Sequence, residues 1–457
     1  MRNVLYRYFL GFGGLCWGLL LAYLLLLAWR LFPFAPSGER VAPYFQFFRW
    51  SFILPGLFAS CVFFWVLKKY SWEKENGVAA LWGWLGASLL FHAVLAQSGV
   101  FPMSEIVQSV SANSFYAAAG TAPGRLLRHS LDLPALFPAA QHIHTNMLGK
   151  PLLYALLGGL SRNPLFLACV LVALAKLAAV PLYFLVRAMT EDRRKALLSA
   201  LFYLFAPPLL YFAPVLNTVT PLLLLTALLP VILYFRTGKP LLAAAAGALF
   251  YLLLFFEPAP GAVFCIFTGL SALYYARIRQ DTGYRQLFSF LIFAAAGFAA
   301  CYLLLYAVYG YCLLENMKQA YVYAKVPFYR REYWRWFTLN PPLFLVNCGI
   351  GVFVAALLAG IRAPRRLLGG EPVFMEAAAV FTLAASLLFF NALGIAGAEG
   401  TRLWLYLSPF AAMAAAGYCV EKGGLAPAWT VLAVAAVQAA ATLPLAGFVI
   451  PWDKMVN

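Results

Sequence analysis

The sequence predicts an all-α fold, a polytopic transmembrane bundle of about 13 helices with amphipathic helices lying along the membrane in a large external loop. Three observations predict it. Of 457 residues, 64% are hydrophobic and 11% charged, too little polar surface to coat a soluble globule of that length. Apolar runs of roughly 20 residues, enough to cross about 30 Å of hydrocarbon as helix, recur along the whole chain. Basic clusters separate them at alternate turns, as membrane topology demands.

The first run, 8–28, follows Arg2 and Arg7 and ends in Trp29-Arg30. Its length, and the lack of a small-residue cleavage site, make it a retained helix and not a removed signal. With a run at 50–67 it forms an N-terminal two-helix addition, residues 1–76, ahead of a core over 77–457. The core spans are expected at 77–97, 164–187, 196–213, 219–235, 240–256, 261–276, 287–309, 342–360, 373–394, 403–419 and 426–446.

Placing Arg2 and Arg7 inside brings Lys68-Lys69 with Lys74, Arg187 with Arg193-Arg194-Lys195, Arg236 with Lys239, Arg277 to Arg285, and Arg362 with Arg365-Arg366 to the cytoplasmic side. Two long segments, 98–163 and 310–340, then lie outside, with short external turns near Asn217, Glu257 and Glu399. Within the first, 104–119 reads as a short amphipathic helix and 149–160 as an apolar helix too short to span. Both are expected along the outer face. The Pro-, His- and Arg-containing stretch 120–150 between them is expected to wrap a cavity.

The net charge of +17 is spread in short clusters between apolar runs, which excludes a basic nucleic-acid-binding domain. The eight cysteines are scattered, mostly within apolar runs, with no spacing that suggests a disulfide framework or a metal knuckle.

Ionisable groups at the edge of a bilayer are expensive to bury, which makes the external ones candidates for function. The external acids are Glu39, Glu105, Asp132, Glu257, Glu315, Glu332, Glu399 and Asp453. Glu105 and Asp132 lie in the first external segment, where either would serve as a general base. Glu105, next to Ser104, suits a helix N-terminus equally well.

Three of the four histidines, His129, His142 and His144, share that segment. A His-x-His pair without a further ligand at helical spacing is a weak metal signature, so hydrogen-bonding or interfacial histidines are favoured, a divalent metal is not, and no cofactor is assigned. In the second external segment Arg330, Arg331 and Arg335 alternate with Tyr and Trp, on the side where such charge is disfavoured; guanidinium groups there suit a phosphate. Glu399 and Arg402 lie three residues apart as a helix starts, so they share a face and can pair, and Arg402 would also meet a phosphate there. Lys176 is the notable charge within a span.

Four stretches resemble the GT-C membrane glycosyltransferases. The loop SFYAAAGTAPGRLLRHSLDLPALFPAAQHIHTNMLGKPLLYALL is similar to the family's external loop ending in a His-Thr-His-Pro-Pro-Gly-Pro type step before a short helix, with Thr145 to Pro151 in that place. APVLNTVTPLLLLTALL is similar to a segment in which a polar residue, here Asn217, opens a helix after an external turn. AAAAGALFYLLLFFEPAPG resembles a Gly-rich helix ending in a polar step, here Glu257-Pro258. Glu399-Gly400-Thr401-Arg402-Leu403-Trp404 resembles the Glu-x-x-Arg-hydrophobic-Trp step of bacterial members and is the most specific of the four. The resemblance runs from about Ala79 onward. Met147 and Leu148 replace two prolines of the loop motif, and Asn217 and Glu257 replace commoner residue types.

The resemblance implies a GT-C-like fold in a bacterial-type cytoplasmic membrane, N-terminus cytoplasmic and active site on the outer face. It implies inverting transfer of a sugar from a polyprenyl-phosphate donor to a glycan, lipid or protein acceptor, with a carboxylate base. It implies Glu105 as base with Asp132 second, and Arg402, Arg330 and Arg331 near the phosphate. His142 and His144 would line the acceptor or sugar site, with Asn146, Lys150, Asn217, Glu257 and Glu399 completing the substrate and phosphate contacts. Membrane lipid and the donor are the implied partners, and nucleic acid is not. Two other classes compete: a transporter or flippase of lipid-linked glycans, which predicts polar residues deep in the spans and repeated halves, and a non-catalytic GT-C-like scaffold.

Overall fold

A computed structural model describes residues 9–28, 77–96, 102–278, 283–328, 333–368, 374–394, 400–423 and 425–442. Among the described residues there are helices and no strand. Five helices are long and apolar enough to cross a membrane: Pro164–Thr190, Leu216–Thr237, Ala259–Ala276, Tyr284–Tyr309 and Phe374–Leu393. A sixth is obtained if the bent pair Tyr333–Asn347 and Ile350–Ala363 counts as one span. The expected runs near 8–28, 77–97, 240–256 and 426–446 are present as shorter apolar helices, and 50–67 lies outside the described residues.

Local chemistry sets the helix ends. The Asp192 carboxylate accepts from the backbone N–H groups of Arg194 (2.7 Å) and Lys195 (3.2 Å), which starts Arg193–Leu204. That helix stops nine residues short of the expected end at 213, because Pro207 and Pro208 cannot donate and crowd the preceding turn. A short Pro207–Tyr211 helix and a 3-10 turn, Leu216–Thr218, carry the chain to Thr220–Thr237.

The span expected at 342–360 is broken. Tyr333–Asn347 and Ile350–Leu368 meet at 110° around Gly349, whose φ of +111° is one that L side chains rarely adopt. The loose backbone ends find one partner: Gln438 accepts from Ile350 N–H (2.9 Å) and donates to the Val346 carbonyl (3.0 Å). A break within an apolar run is tolerable when its polar groups are satisfied in this way.

The helix expected at 104–119 is likewise three pieces, Met103–Gln108, Val110–Asn113 and a 3-10 stretch Ser114–Gly120, interrupted where Ser109 and Asn113 leave helical backbone angles. Ser and Asn offer the backbone competing hydrogen bonds, which disfavours a continuous helix. The second segment expected outside, in turn, is helical over Leu313–Phe328 and Tyr333–Asn347.

Small residues let the helices approach closely. Gly247 and Gly297 press against the backbones of Ala294 and Ala244, joining Pro240–Phe256 to Tyr284–Tyr309 with no room for a Cβ at either position. The alanine-rich Ser408–Glu421 helix is buried over nearly its whole length and forms the centre of the larger core. The N-terminal Gly14–Ala28 helix packs on Ile350–Leu368 and Leu425–Thr442, within the same core. Among the described residues, one end of the bundle carries Lys195, Arg236 and Arg366, paired with Glu376 (2.5 Å), Glu191 and Glu421 in turn.

Candidate functional site

At the other end of the bundle, four stretches distant in sequence converge. The Gly149–Leu160 helix starts with Gly149 against the backbone of Phe255 and Phe256, where a Cβ would fall 2.7 Å from the Phe255 carbonyl. That approach sets Lys150 beside the next residue of the partner strand of chain, Glu257, at the extended end of Pro240–Phe256. Lys150 Nζ lies 3.2 Å from Glu257 Oε2, and these side chains are only 3% and 10% exposed. Lys150 also donates to Asn146 Oδ1 (2.9 Å), one helical turn earlier, and stands 5.9 Å from the centre of the Phe256 ring.

Thr220, opening the next helix, donates to the same Glu257 Oε2 at 2.5 Å, and Asn217 donates to Oε1 at 3.4 Å. The 3-10 turn holding Asn217 packs against Leu405–Leu407, just beyond Arg402. Arg402 and Tyr406 are within electrostatic reach of Lys150 and Glu257 respectively. Burial pushes the Lys150 ammonium below the usual lysine range; Glu257 opposes the shift and the Arg402 guanidinium adds to it. Asn146 and Arg402 are half-buried, so the cluster reaches the surface on their side.

The two long expected external segments fasten this site together. Asn316 Oδ1 accepts from the Leu148 N–H (3.2 Å) and the Tyr311 hydroxyl (3.1 Å), while its amide donates to the Ser130 carbonyl (3.4 Å). Gln319 donates to the Leu131 carbonyl at 2.5 Å. The Leu313–Phe328 helix therefore holds the loop that delivers Lys150.

Of the residues singled out from sequence, Asn146, Lys150, Asn217, Glu257 and Arg402 come together here. His142 reaches the cluster only through its backbone, its carbonyl accepting from the Asn146 amide (3.0 Å), and neither the His142 nor the His144 ring is hydrogen-bonded to Lys150 or Glu257 among the described residues. His142 donates its backbone N–H to Ser114 Oγ (2.9 Å) and its ring faces Phe115; His144 Nε2 is 2.8 Å from the Phe137 carbonyl and its ring faces Tyr323. Ser114 and Phe137, the residues these histidines bond, line a cleft of about 230 Å³ together with Gln108, Tyr116 and Pro138.

Glu105 is half-buried in the first turn of Met103–Gln108, a placement that suits the helix dipole. Asp132 is 72% exposed and 3.7 Å from His129 Nδ1. Among the described residues no hydrogen bond or ion pair joins either acid to the Lys150–Glu257 cluster. Arg330, Arg331 and Glu399 lie outside the described residues. No group of three His, Cys, Asp or Glu side chains suited to a metal occurs among the described residues.

Sequence reasoning missed Thr220 and Asn316. Thr220 had a signal, since it sits three residues after Asn217 at a helix start and so shares its side. Asn316 had none. Composition and fold define an all-helical protein with several helices suited to a membrane. No protein-family model matches the chain, and no curated protein matches it.

Proposed function

We propose that the chain is a GT-C-like integral-membrane glycosyltransferase that moves a sugar from a polyprenyl-phosphate donor to an acceptor on the outer face of the membrane, with inversion. The observation that carries this reading is the convergence of Lys150, Asn217, Glu257 and Arg402, one residue from each stretch of family resemblance, into one charged cluster whose Lys150–Glu257 pair is buried. Chance resemblance of four isolated stretches gives no reason for them to meet. The cluster lies opposite the basic ends, which the positive-inside rule assigns to the cytoplasm.

The chemistry suits the inventory. The acceptor hydroxyl attacks the anomeric carbon while the bond to the phosphate oxygen breaks, and the leaving phosphate gains charge. Lys150 and Arg402 supply cations for that charge in a site poor in water. A carboxylate takes the acceptor proton. The cleft lined by Ser114, Tyr116 and Phe137, one hydrogen bond away from His142 and His144, is the proposed acceptor or sugar site.

The test is a transfer assay in membranes holding the full chain, with a panel of labelled polyprenyl-phosphate sugars. Release of polyprenyl phosphate together with labelled acceptor is expected from the wild type and is lost in the Lys150→Met/Glu257→Gln double variant. Binding without transfer across the panel is the result a scaffold gives.

A transporter of lipid-linked glycans is the second reading, favoured by Lys176 deep in the bundle and by the broken pair around Gly349. It predicts movement of an intact labelled lipid between leaflets of reconstituted vesicles, with no cleavage of the sugar-phosphate bond.

A further inference from the structure

Lys150 and Glu257 hold each other, and that poses a chemical difficulty for the transferase reading. A lysine paired with a carboxylate is a poorer phosphate ligand, and a carboxylate paired with a lysine is a poorer base. The geometry of the remaining contacts resolves it. Glu257 has two holders besides Lys150: Thr220 at 2.5 Å and Asn217 at 3.4 Å, one on each carboxylate oxygen. With Lys150 gone, the carboxylate stays where it is. Lys150 has a holder besides Glu257 too, the Asn146 oxygen at 2.9 Å on the half-exposed side of the cluster, and a third N–H to give. The ammonium can therefore swing about Asn146 toward Arg402 without losing every partner.

We propose that Lys150 is a donor-operated latch on Glu257: the phosphate of the bound donor draws the Lys150 ammonium off the carboxylate, and the freed Glu257 takes the proton of the attacking acceptor hydroxyl. This deepens the transferase reading and rests on it. The electrostatics favour the exchange. Arg402 already repels the ammonium in its present seat, and a phosphate between Arg402 and Lys150 turns that repulsion into joint attraction.

Glu257 is also better placed beside the cations than the other two acids. Asp132 is 72% exposed and pairs with His129, not with Lys150. Glu105 sits in the first turn of its own short helix, with no hydrogen bond or ion pair to Lys150 among the described residues. Glu257 alone of the three touches the Lys150 ammonium, in a buried site.

The step balances. The acceptor O–H proton goes to Glu257, the acceptor oxygen bonds the anomeric carbon, and the carbon–oxygen bond to phosphate breaks with its electron pair on polyprenyl phosphate, beside Lys150 and Arg402. Without donor, Glu257 stays latched. Binding is then ordered, donor before acceptor.

The latch makes one substitution act in opposite directions on binding and turnover. In Glu257→Gln the competitor for Lys150 is neutral, so polyprenyl monophosphate, used as the probe, should bind the full-length protein in detergent about tenfold tighter than it binds wild type. Transfer should fall by about 100-fold or more in the same variant, because the proton acceptor is lost. The Lys150→Met/Glu257→Gln double variant, which leaves no buried charge unpaired, should lose the tightened binding and so tie it to Lys150.

Weaker or unchanged probe binding in Glu257→Gln overturns the latch. So does wild-type turnover in Glu257→Gln together with loss of turnover in Glu105→Gln or Asp132→Asn, while both of those outcomes leave the transferase reading standing. Failure of that reading looks different: no transfer by wild type with any sugar in the panel and no binding of the probe by wild type or Glu257→Gln.

Discussion

Among the described residues two lysines are buried, and their partners differ. Lys150 is held by a carboxylate and a side-chain amide at one end of the bundle, near an arginine. Lys176 is fully buried within the Pro164–Thr190 helix pair and donates to the carbonyl of Leu204, where Arg193–Leu204 ends short. Ser88 donates to the same carbonyl at 3.1 Å, and the Tyr203 hydroxyl returns to the Ala175 carbonyl at 3.0 Å. Among the described residues no carboxylate pairs with Lys176.

A helix C-terminus carries partial negative charge on unsatisfied carbonyls, and a lysine set against it is a cap. Its partner is backbone that a ligand cannot replace. The partners of Lys150 are side chains that an anion can replace. The difference separates a lysine that ends a helix inside the bundle from one positioned to change partners.

The largest effect that tests this contrast is on Lys150. Lys150→Met leaves the Glu257 charge buried without its ammonium and should cost about 3–5 kcal/mol of stability. The Lys150→Met/Glu257→Gln double variant should recover most of that loss and still transfer at least about 100-fold more slowly than wild type. Thermal unfolding in detergent and the transfer assay read the two halves. A double variant as unstable as the single one would mean that the pair is not what the Lys150 charge holds.

Lys176 should behave the opposite way, with the smaller magnitude. Lys176→Ala removes one donor from the Leu204 carbonyl and should destabilise by about 1–3 kcal/mol, with transfer per folded molecule changed by less than about threefold, within ordinary variation for a group outside the chemistry. If Lys176→Ala abolishes transfer in folded protein, or if Lys176→Ala blocks lipid movement between leaflets, the contrast between the two lysines is broken and the transporter reading gains.

The same contrast explains how far the sequence could be read. Helices such as Pro240–Phe256, Tyr284–Tyr309 and Phe374–Leu393 were legible because each is a continuous apolar run bounded by local signals such as Gly, Pro or charge. The breaks were not. The bend at Gly349 lies within an apolar run and is stabilised by Gln438, 88 residues from Ile350 in the chain. Ser109 and Asn113 split a stretch whose periodicity alone reads as one helix.

At the site, Lys150, Asn217, Glu257 and Arg402 could be marked individually from motif resemblance, but nothing local says that Lys150 and Glu257 touch. Their pairing depends on Gly149 meeting the Phe255 backbone. Glu105 and Asp132 drew attention as acids in a long loop, a property blind to the 72% exposure of Asp132.

The smallest expected effect, and the one with the most particular sign, is on pH. Lys150 has a folded-state pKa below the ordinary lysine value, chiefly because it is buried. Between the lowered value and the ordinary one the unfolded chain binds more protons than the folded chain, so stability rises with pH across that window. Phosphate binding runs the other way, because the ammonium that meets the phosphate is lost as pH rises through the lowered value. Wild type should therefore gain melting temperature relative to the Lys150→Met/Glu257→Gln variant over the same alkaline range in which it loses affinity for polyprenyl monophosphate. Lys150→Arg keeps its charge through that range and should move the loss of affinity to higher pH. Lys176 meets no phosphate in this scheme, so Lys176→Ala should leave the alkaline limb of probe binding where wild type has it; a limb that moves with Lys176 instead of Lys150 would reverse the roles assigned to the two lysines.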